Sequence, residues 1–529
     1  MGVAVSREAE REAVRTEAVE MRLHDIVEQN ACWYPEHFAL GYRETALTWS
    51  DFSARMHRLA AGLLDAGVEE GERIAVLANN ALDYVVLQYA LSLTGGILVP
   101  VNTRLATPEI AYILEDSGAR ILLYDSENAE AAKAVAAEPG VSVELVDLAD
   151  RDAPSGLWGW IQRTLADPGT RVPDERAGDW RRPHVILYTG GTTGRPKGAM
   201  ISHRRNLIDG MSVGSAFGLR PHERFLSYSP LSHTAAWDYI KAYFLVGGGA
   251  VVLPKFDAEE ALAQIQLHRC NGMWAVPLML RQIIESPSFA SADLSSVKLI
   301  AYSAYDPSEL MIRVLEAFRD RGAKDVRLGH GYGLTEGGPF VTVLRPEEAE
   351  QDPASVGTPV PGLRVALLDA DGNEVPRGEV GEVCVRSSGI MEGYWHRPDA
   401  TADAFRDGWL HTGDLGRINE LGHLQIVDRQ KDMIRTAGEN VFAKEVEMVL
   451  MEHPAVLDCA VIGRKDERYD ERVTAVIVVS DEVTEDELRE FARERMARFK
   501  VPKEFIYVDS IPKTSAGKTA KAELRKRYS

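Results

Sequence analysis

Leu187-Tyr188-Thr189-Gly190-Gly191-Thr192-Thr193-Gly194-Arg195-Pro196-Lys197-Gly198 continues directly from an apolar run, residues 185–188, that reads as a buried strand. A strand opening into a loop of glycines and hydroxyls suggests a phosphate cradle. Glycine lets backbone N–H groups approach phosphate oxygens, the threonines add hydroxyl donors, and Lys197 adds a positive charge. The loop is not a Walker A motif, because no GxxxxGK[ST] can be read in it. Standing alone, it also allows the less favoured reading of a flexible surface turn.

Around this loop, short apolar strands such as residues 73–77 and 121–124 alternate with helical stretches such as 47–66, an α/β pattern through the first 340 or so residues. The long apolar run at 84–101 contains Gln88, Gly95, Gly96 and Pro100, so it reads as a buried helix leading into a strand. From about residue 355 to 427 brief β-like segments, including 364–368 and 380–386, are separated by Asp-Gly and Pro-Arg-Gly turns, which predicts a small β-rich subdomain. A compact α+β unit follows, with strands at 458–462, 474–479 and 505–508. Thr484 and Glu487 form a capping box at the start of a helix that divides the last two. The expected fold class is therefore α/β: a large N-terminal domain of α/β subdomains with a small β-rich subdomain, then a small α+β C-terminal domain.

The chain has 529 residues, 45% of them hydrophobic and 26% charged, as in an ordinary globular protein large enough for several domains. Its formal net charge of −20 repels nucleic acid and anionic membrane surfaces, so any anion must be bound by a local site. Residues 1–22 carry mixed charges and no apolar h-region, and read as a solvated helix. Cys32, Cys270, Cys384 and Cys459 form no CxxC pair, which argues against a zinc or redox motif and for buried free thiols in a reducing cytoplasm.

Five further segments follow the loop in order: Gly331-Tyr332-Gly333-Leu334-Thr335-Glu336, Trp409-Leu410-His411-Thr412-Gly413-Asp414, Asp428-Arg429-Gln430-Lys431-Asp432, Ala437-Gly438-Glu439-Asn440-Val441, and Pro512-Lys513-Thr514-Ser515-Ala516-Gly517-Lys518. Each alone is an unremarkable polar turn. In this order they resemble the motif series of the adenylate-forming superfamily, which includes acyl-CoA synthetases, peptide-synthetase adenylation domains and beetle luciferases. The resemblance spans about residues 23–525.

The resemblance implies roles residue by residue. Thr189, Gly190, Gly191, Thr192, Thr193, Gly194 and Lys197 would surround the phosphates of ATP. Tyr332 would stack on adenine beside Gly333, Thr335 would touch the α-phosphate, and Glu336 would help hold Mg²⁺, a hard cation suited to carboxylate oxygens. Asp414 and Arg429 would bind ribose, and Asn440 would face the adenylate phosphate. Lys431 would be the pivot of a hinge at 429–431, between a domain of residues 1–428 and a mobile domain of residues 432–529. Gly438 would line the tunnel for the thiol of coenzyme A, and Lys518 would be the catalytic lysine, with Thr189 and Glu336 completing the catalytic set.

For the acid, Pro230-Leu231-Ser232-His233 resembles the segment bordering the substrate pocket, which makes His233 and Trp237 candidates together with Gly331. Amino-acid-activating relatives usually place an Asp just after this position, and here Thr234 stands there, which lowers that reading. Tyr302 and Ser303 fall where many relatives have glycines, in a segment that makes Ala304 a candidate as well. Added volume there is expected to shorten the pocket and favour a small or aryl acid. The implied reaction is ATP-dependent activation of that acid, then transfer to coenzyme A, in the cytoplasm and without stable membrane insertion. Two other readings stand beside it: an adenylating enzyme that serves a carrier-protein thiol, an amine or a small inorganic nucleophile, and a nucleotide-binding pseudoenzyme, against which Glu336, Asp414 and Lys518 together argue.

Overall fold

The computed structural model describes residues 20–148, 179–189, 195–303, 308–345, 347–349, 351–466, 468–480, 483–513 and 519–528. Thr48 begins the first long helix by a capping box: its hydroxyl accepts from the Asp51 N–H, and the Asp51 carboxylate accepts from the Thr48 N–H. The helix Trp49–Asp65 then buries Trp49, Phe52, Met56, Leu59 and Leu63 on one face. The helix Leu82–Thr94 is buried from Tyr84 onward and stops at Gly95, whose φ of +79° suits only glycine well. The strand Ile97–Pro100 follows, as the sequence predicts.

These elements build two large sheets. One runs Glu144–Asp147, Ile121–Tyr124, Arg73–Leu77, Ile97–Pro100 and Pro183–Thr189 in parallel, with Lys197–Ser202 antiparallel at its edge. The other is parallel from Arg327–Leu334 through Leu299–Tyr302, Gly272–Ala275, Arg224–Ser227 and Gly249–Val252 to Phe38–Tyr42, with antiparallel strands at both edges. In such sheets ligands bind beyond the carboxyl ends of the strands. Thr189, Ser227, Ser303 and the segment 331–336 all lie at such ends.

The β-rich subdomain pairs Leu363–Leu368, Gly381–Ser387 and Trp409–Ile418 with Leu424–Arg429. A separate five-stranded sheet holds Ile434–Thr436, Glu439–Val441, Val456–Asp466, Asp470–Val479 and Glu504–Tyr507. The helix Glu485–Arg493 starts at the expected capping box. Three cysteines are buried, but Cys32 is exposed in the last turn of the helix Asp25–Trp33, contrary to the expectation of four buried thiols.

Candidate active site

The strand Pro183–Thr189 delivers Thr189 to Glu336, which follows the strand Arg327–Leu334 of the other large sheet. The Thr189 hydroxyl donates to Glu336 Oε1 at 3.1 Å. The Tyr394 hydroxyl donates to the same oxygen at 2.9 Å, and the Lys197 ammonium lies 4.3 Å from the centre of the Tyr394 ring. Glu336 Oε2 accepts no hydrogen bond from the described residues. Tyr394 has no counterpart among the residues singled out from sequence. It stands 58 positions from Glu336, and only the fold brings the two together.

Tyr332 and Asp414 meet in the same way. The Tyr332 hydroxyl donates to Asp414 Oδ2 at 2.6 Å, and Arg429 Nε lies 2.9 Å from Asp414 Oδ1. Burial and the adjacent Asp414 carboxylate hold the Tyr332 phenol far above its ordinary pKa. Asp414 and Arg429 are cross-strand partners in the β-rich sheet, so register alone brings the carboxylate and the guanidinium together. Lys431, just beyond, has its pKa lowered by burial and by the nearby Arg429.

On the acid side His233 stands at the N-cap position of the helix Thr234–Leu245, without a capping bond from its side chain. The strand Arg224–Ser227 and this helix meet at a closed crevice lined by Phe225, Ser227, Ala235, Ala236, Tyr239 and Trp274, too tight in this structure to admit a water. Phe225 and Tyr239 stack with centroids 4.9 Å apart, and Phe340 meets Tyr239 edge-on at 5.0 Å. Gly331 is a glycine for a steric reason, since a Cβ there would lie 2.5 Å from the Phe340 ring. Ser303 sits beside it, accepting from Trp274 Nε1 at 3.1 Å and donating to the Gly331 carbonyl at 3.2 Å.

Trp237 and Tyr302 do not join this lining. Trp237 donates its indole N–H to the Leu231 carbonyl and packs edge-on against Tyr84 at 5.7 Å, inside the core. Tyr302 is buried and stacks on His330 with centroids 4.5 Å apart. The reason is the pleat: successive strand residues face opposite sides, so Tyr302 enters the far core while Ser303 faces the site. The volume argument thus loses Tyr302 and rests on Ser303 alone.

Gly438 (φ +82°) is at the exposed tip of the hairpin formed by Ile434–Thr436 and Glu439–Val441, with Asn440 exposed on the second strand. The structure does not bring either next to Asp414 through any described contact. Gly190, Gly191, Thr192, Thr193, Gly194, Ala304 and Lys518 lie outside the described residues, as does most of the helix expected at the N-terminus.

The chain matches the models of two known families. That for the AMP-binding enzyme covers residues 27–395, and that for the AMP-binding enzyme C-terminal domain covers residues 445–518. The chain belongs to the AMP-binding enzyme family. It is 37% identical over 503 residues to a feruloyl-CoA synthase of Amycolatopsis sp, covering 93% of this chain and 96% of the relative. It is 34% identical over 494 residues to a long-chain-fatty-acid–CoA ligase of Mycobacterium tuberculosis, covering 92% and 94%. Among solved structures, the amide bond synthetase of Marinactinospora thermotolerans superposes with a TM-score of 0.82 at 28% identity, covering 96% and 100%. This AMP-binding enzyme is an adenylate-forming ligase of the acyl-CoA synthetase type, using ATP and coenzyme A, as the motif series implies. None of its described helices is long and apolar enough to cross a membrane.

Proposed function

We propose that this ligase acts in the cytoplasm on an aryl or short carboxylic acid, forming the acyl-adenylate with release of pyrophosphate and then the coenzyme A thioester. The observation that carries this reading is the pairing of Thr189 with Glu336 and of Tyr332 and Arg429 with Asp414, with Ser303 joining Trp274 to Gly331 beside them. The crevice nearby is lined by Phe225, Tyr239 and Trp274 and no described carboxylate lines it to call for an ammonium, which favours a flat ring over an amino acid. Asp238 is buried and already engaged by the Thr234 hydroxyl at 2.5 Å and by Lys241.

In the first step a carboxylate oxygen of the acid attacks the α-phosphorus of ATP and the bond to pyrophosphate breaks. Catalysis here is positioning and charge stabilisation. Tyr332 and Gly333 offer the adenine surface, Asp414 and Arg429 the ribose contacts, and Thr189, Thr335 and Lys197 face the phosphates together with the loop 190–194. Glu336 fits a magnesium ion, because both its hydroxyl bonds fall on Oε1 and Oε2 is left for a hard cation. Bound there, the ion would offset phosphate charge. In the second step the thiol of coenzyme A adds to the acyl carbonyl, loses its proton, and AMP departs. The division at residue 428, the hinge at 429–431, the approach of Gly438 and Asn440 in one state and of Lys518 in the other belong to the same reading.

Pyrophosphate release across aryl, short and long-chain acids, with acyl-CoA followed by mass spectrometry, tests it. Aryl or short acids should give the highest kcat/KM, and a preference for long chains would overturn the substrate class. The likeness to an amide bond synthetase favours one second reading, an amine acceptor. Adenylate formation without thioester, together with amide product on adding amines, would establish that instead.

A further inference from the structure

The Thr412-Gly413-Asp414 segment leaves the regular ladder. Glu382 pairs with Leu415 and Cys384 with His411, so three residues on one strand face Val383 alone on the other. Such a bulge re-aims a side chain but leaves backbone groups without ladder partners. Here they are satisfied by side chains, one from the Gly381–Ser387 strand and one from the bulge itself. The Gly413 N–H donates to Glu382 Oε1 at 3.0 Å, the Thr412 hydroxyl donates to the Val383 carbonyl at 2.7 Å, and the Asp414 N–H donates to the Thr412 hydroxyl at 3.1 Å. Gly413 holds φ +70°, a conformation other residues seldom adopt.

The second oxygen of Glu382 pairs with His411 Nδ1 at 2.8 Å and lies 3.6 Å from the Arg406 guanidinium. Glu382, Cys384 and His411 do bring metal-ligand atoms within 4.8 Å of one another. Yet both carboxylate oxygens already have partners, and burial, then the Glu382 charge, push the Cys384 thiol up to about 12, leaving it protonated at neutral pH. The cluster is organised for hydrogen bonding, with the carboxylate 12% and the imidazole 11% exposed.

We propose that Glu382 is a positioning residue for the first half-reaction: by fixing the Gly413 N–H it holds the bulge that aims Asp414 at the ribose. The proposal rests on Asp414 as the ribose acceptor, so its test must separate the two. The readout is the ratio of kcat/KM for ATP to that for 2′-deoxyATP and for 3′-deoxyATP, by pyrophosphate release with the best acid of the panel. A hydroxyl facing an ionised acceptor should make that ratio about 10-fold to 100-fold in the wild type. Asp414→Asn should bring it down toward one. An unchanged ratio in Asp414→Asn overturns the ribose assignment and the proposal with it.

With that control in place, Glu382→Ala should lower the ratio at least about 5-fold, leaving KM for the acid unchanged, because the carboxylate of Asp414 is no longer held on target. Glu382→Gln, whose amide oxygen can still accept from Gly413, should restore the ratio to within about twofold of wild type. If Glu382→Ala does not fold, Glu382→Asp keeps the charge but shortens the reach by one methylene, and it should show the same loss. A wild-type ratio in the folded alanine or aspartate variant, beside a collapsed ratio in Asp414→Asn, would leave Glu382 a purely structural residue.

Discussion

At the scale of single residues, Glu336 and Tyr302 are the informative contrast. Glu336 gathers two hydroxyls on one oxygen and offers the other, so its charge matters more than its shape. Glu336→Gln keeps the shape and removes the charge, and we expect kcat/KM for ATP to fall about 10²-fold to 10³-fold, with a right-shifted magnesium titration. Adenylation unchanged across the titration would refute the metal assignment. Tyr302 looks like a pocket residue in the sequence but is a core residue in the fold, stacked on His330. Tyr302→Gly should therefore cost about 3 kcal/mol or more of stability, through lost packing, while leaving the preferred acid length as it was. Thermal unfolding and the acid panel, run on the same preparation, read both effects.

At the scale of elements, the helices His203–Phe217 and Thr234–Leu245 share buried charge. Arg205 pairs with Asp209 at 3.0 Å and Lys241 with Asp238, all at most 4% exposed. Asp209 also abuts the segment after Glu336: a Cβ on Gly338 would stand 3.1 Å from its Oδ1. Burial pushes the Asp209 carboxyl up to about 7 from 3.8, against the pull of Arg205. Between those values the folded chain keeps a proton that the unfolded chain has lost, so this group's contribution to stability declines as pH rises through that window and is level on either side. Asp209→Asn should flatten the decline, as measured by urea unfolding at about pH 5 and about pH 8. An equal slope in variant and wild type would show that Asp209 is ionised throughout.

At the scale of the whole molecule, the proposed alternation assigns the two half-reactions to different faces of the C-terminal domain. On that proposal Lys518→Ala should reduce adenylation about 10²-fold to 10³-fold, as expected on removing a cation that would stabilise the transferring phosphoryl group, and should spare thioester formation from pre-made adenylate. Gly438→Trp should do the reverse: its φ of +82° strains any side chain there by about 1–3 kcal/mol, but Gly438 is an exposed hairpin tip with nothing within 4 Å of its Cβ position, and a large side chain would obstruct an approaching thiol. Pyrophosphate release and thioester yield, measured for both variants, decide the matter. Equal loss of both activities in both would end the alternation hypothesis.

The sequence by itself determined the class of fold and the family. Alternating apolar strands and capped helices are local patterns, and the order of six motifs is a property of the chain before it folds. It also singled out Thr189, Tyr332, Glu336, Asp414 and Arg429 as candidates, because each lies in one of the ordered motifs, four of them in or at the end of strands that carry them to one another. Which side chains meet was decided only by the tertiary structure. Tyr394 reaches Glu336, and Glu382 reaches Gly413, through sheet register and a bulge, over separations at which sequence carries no distance. The pleat settled the parting of Tyr302 from Ser303, because a one-residue step along a strand reverses the face, and only the packed sheet fixes which face is the site.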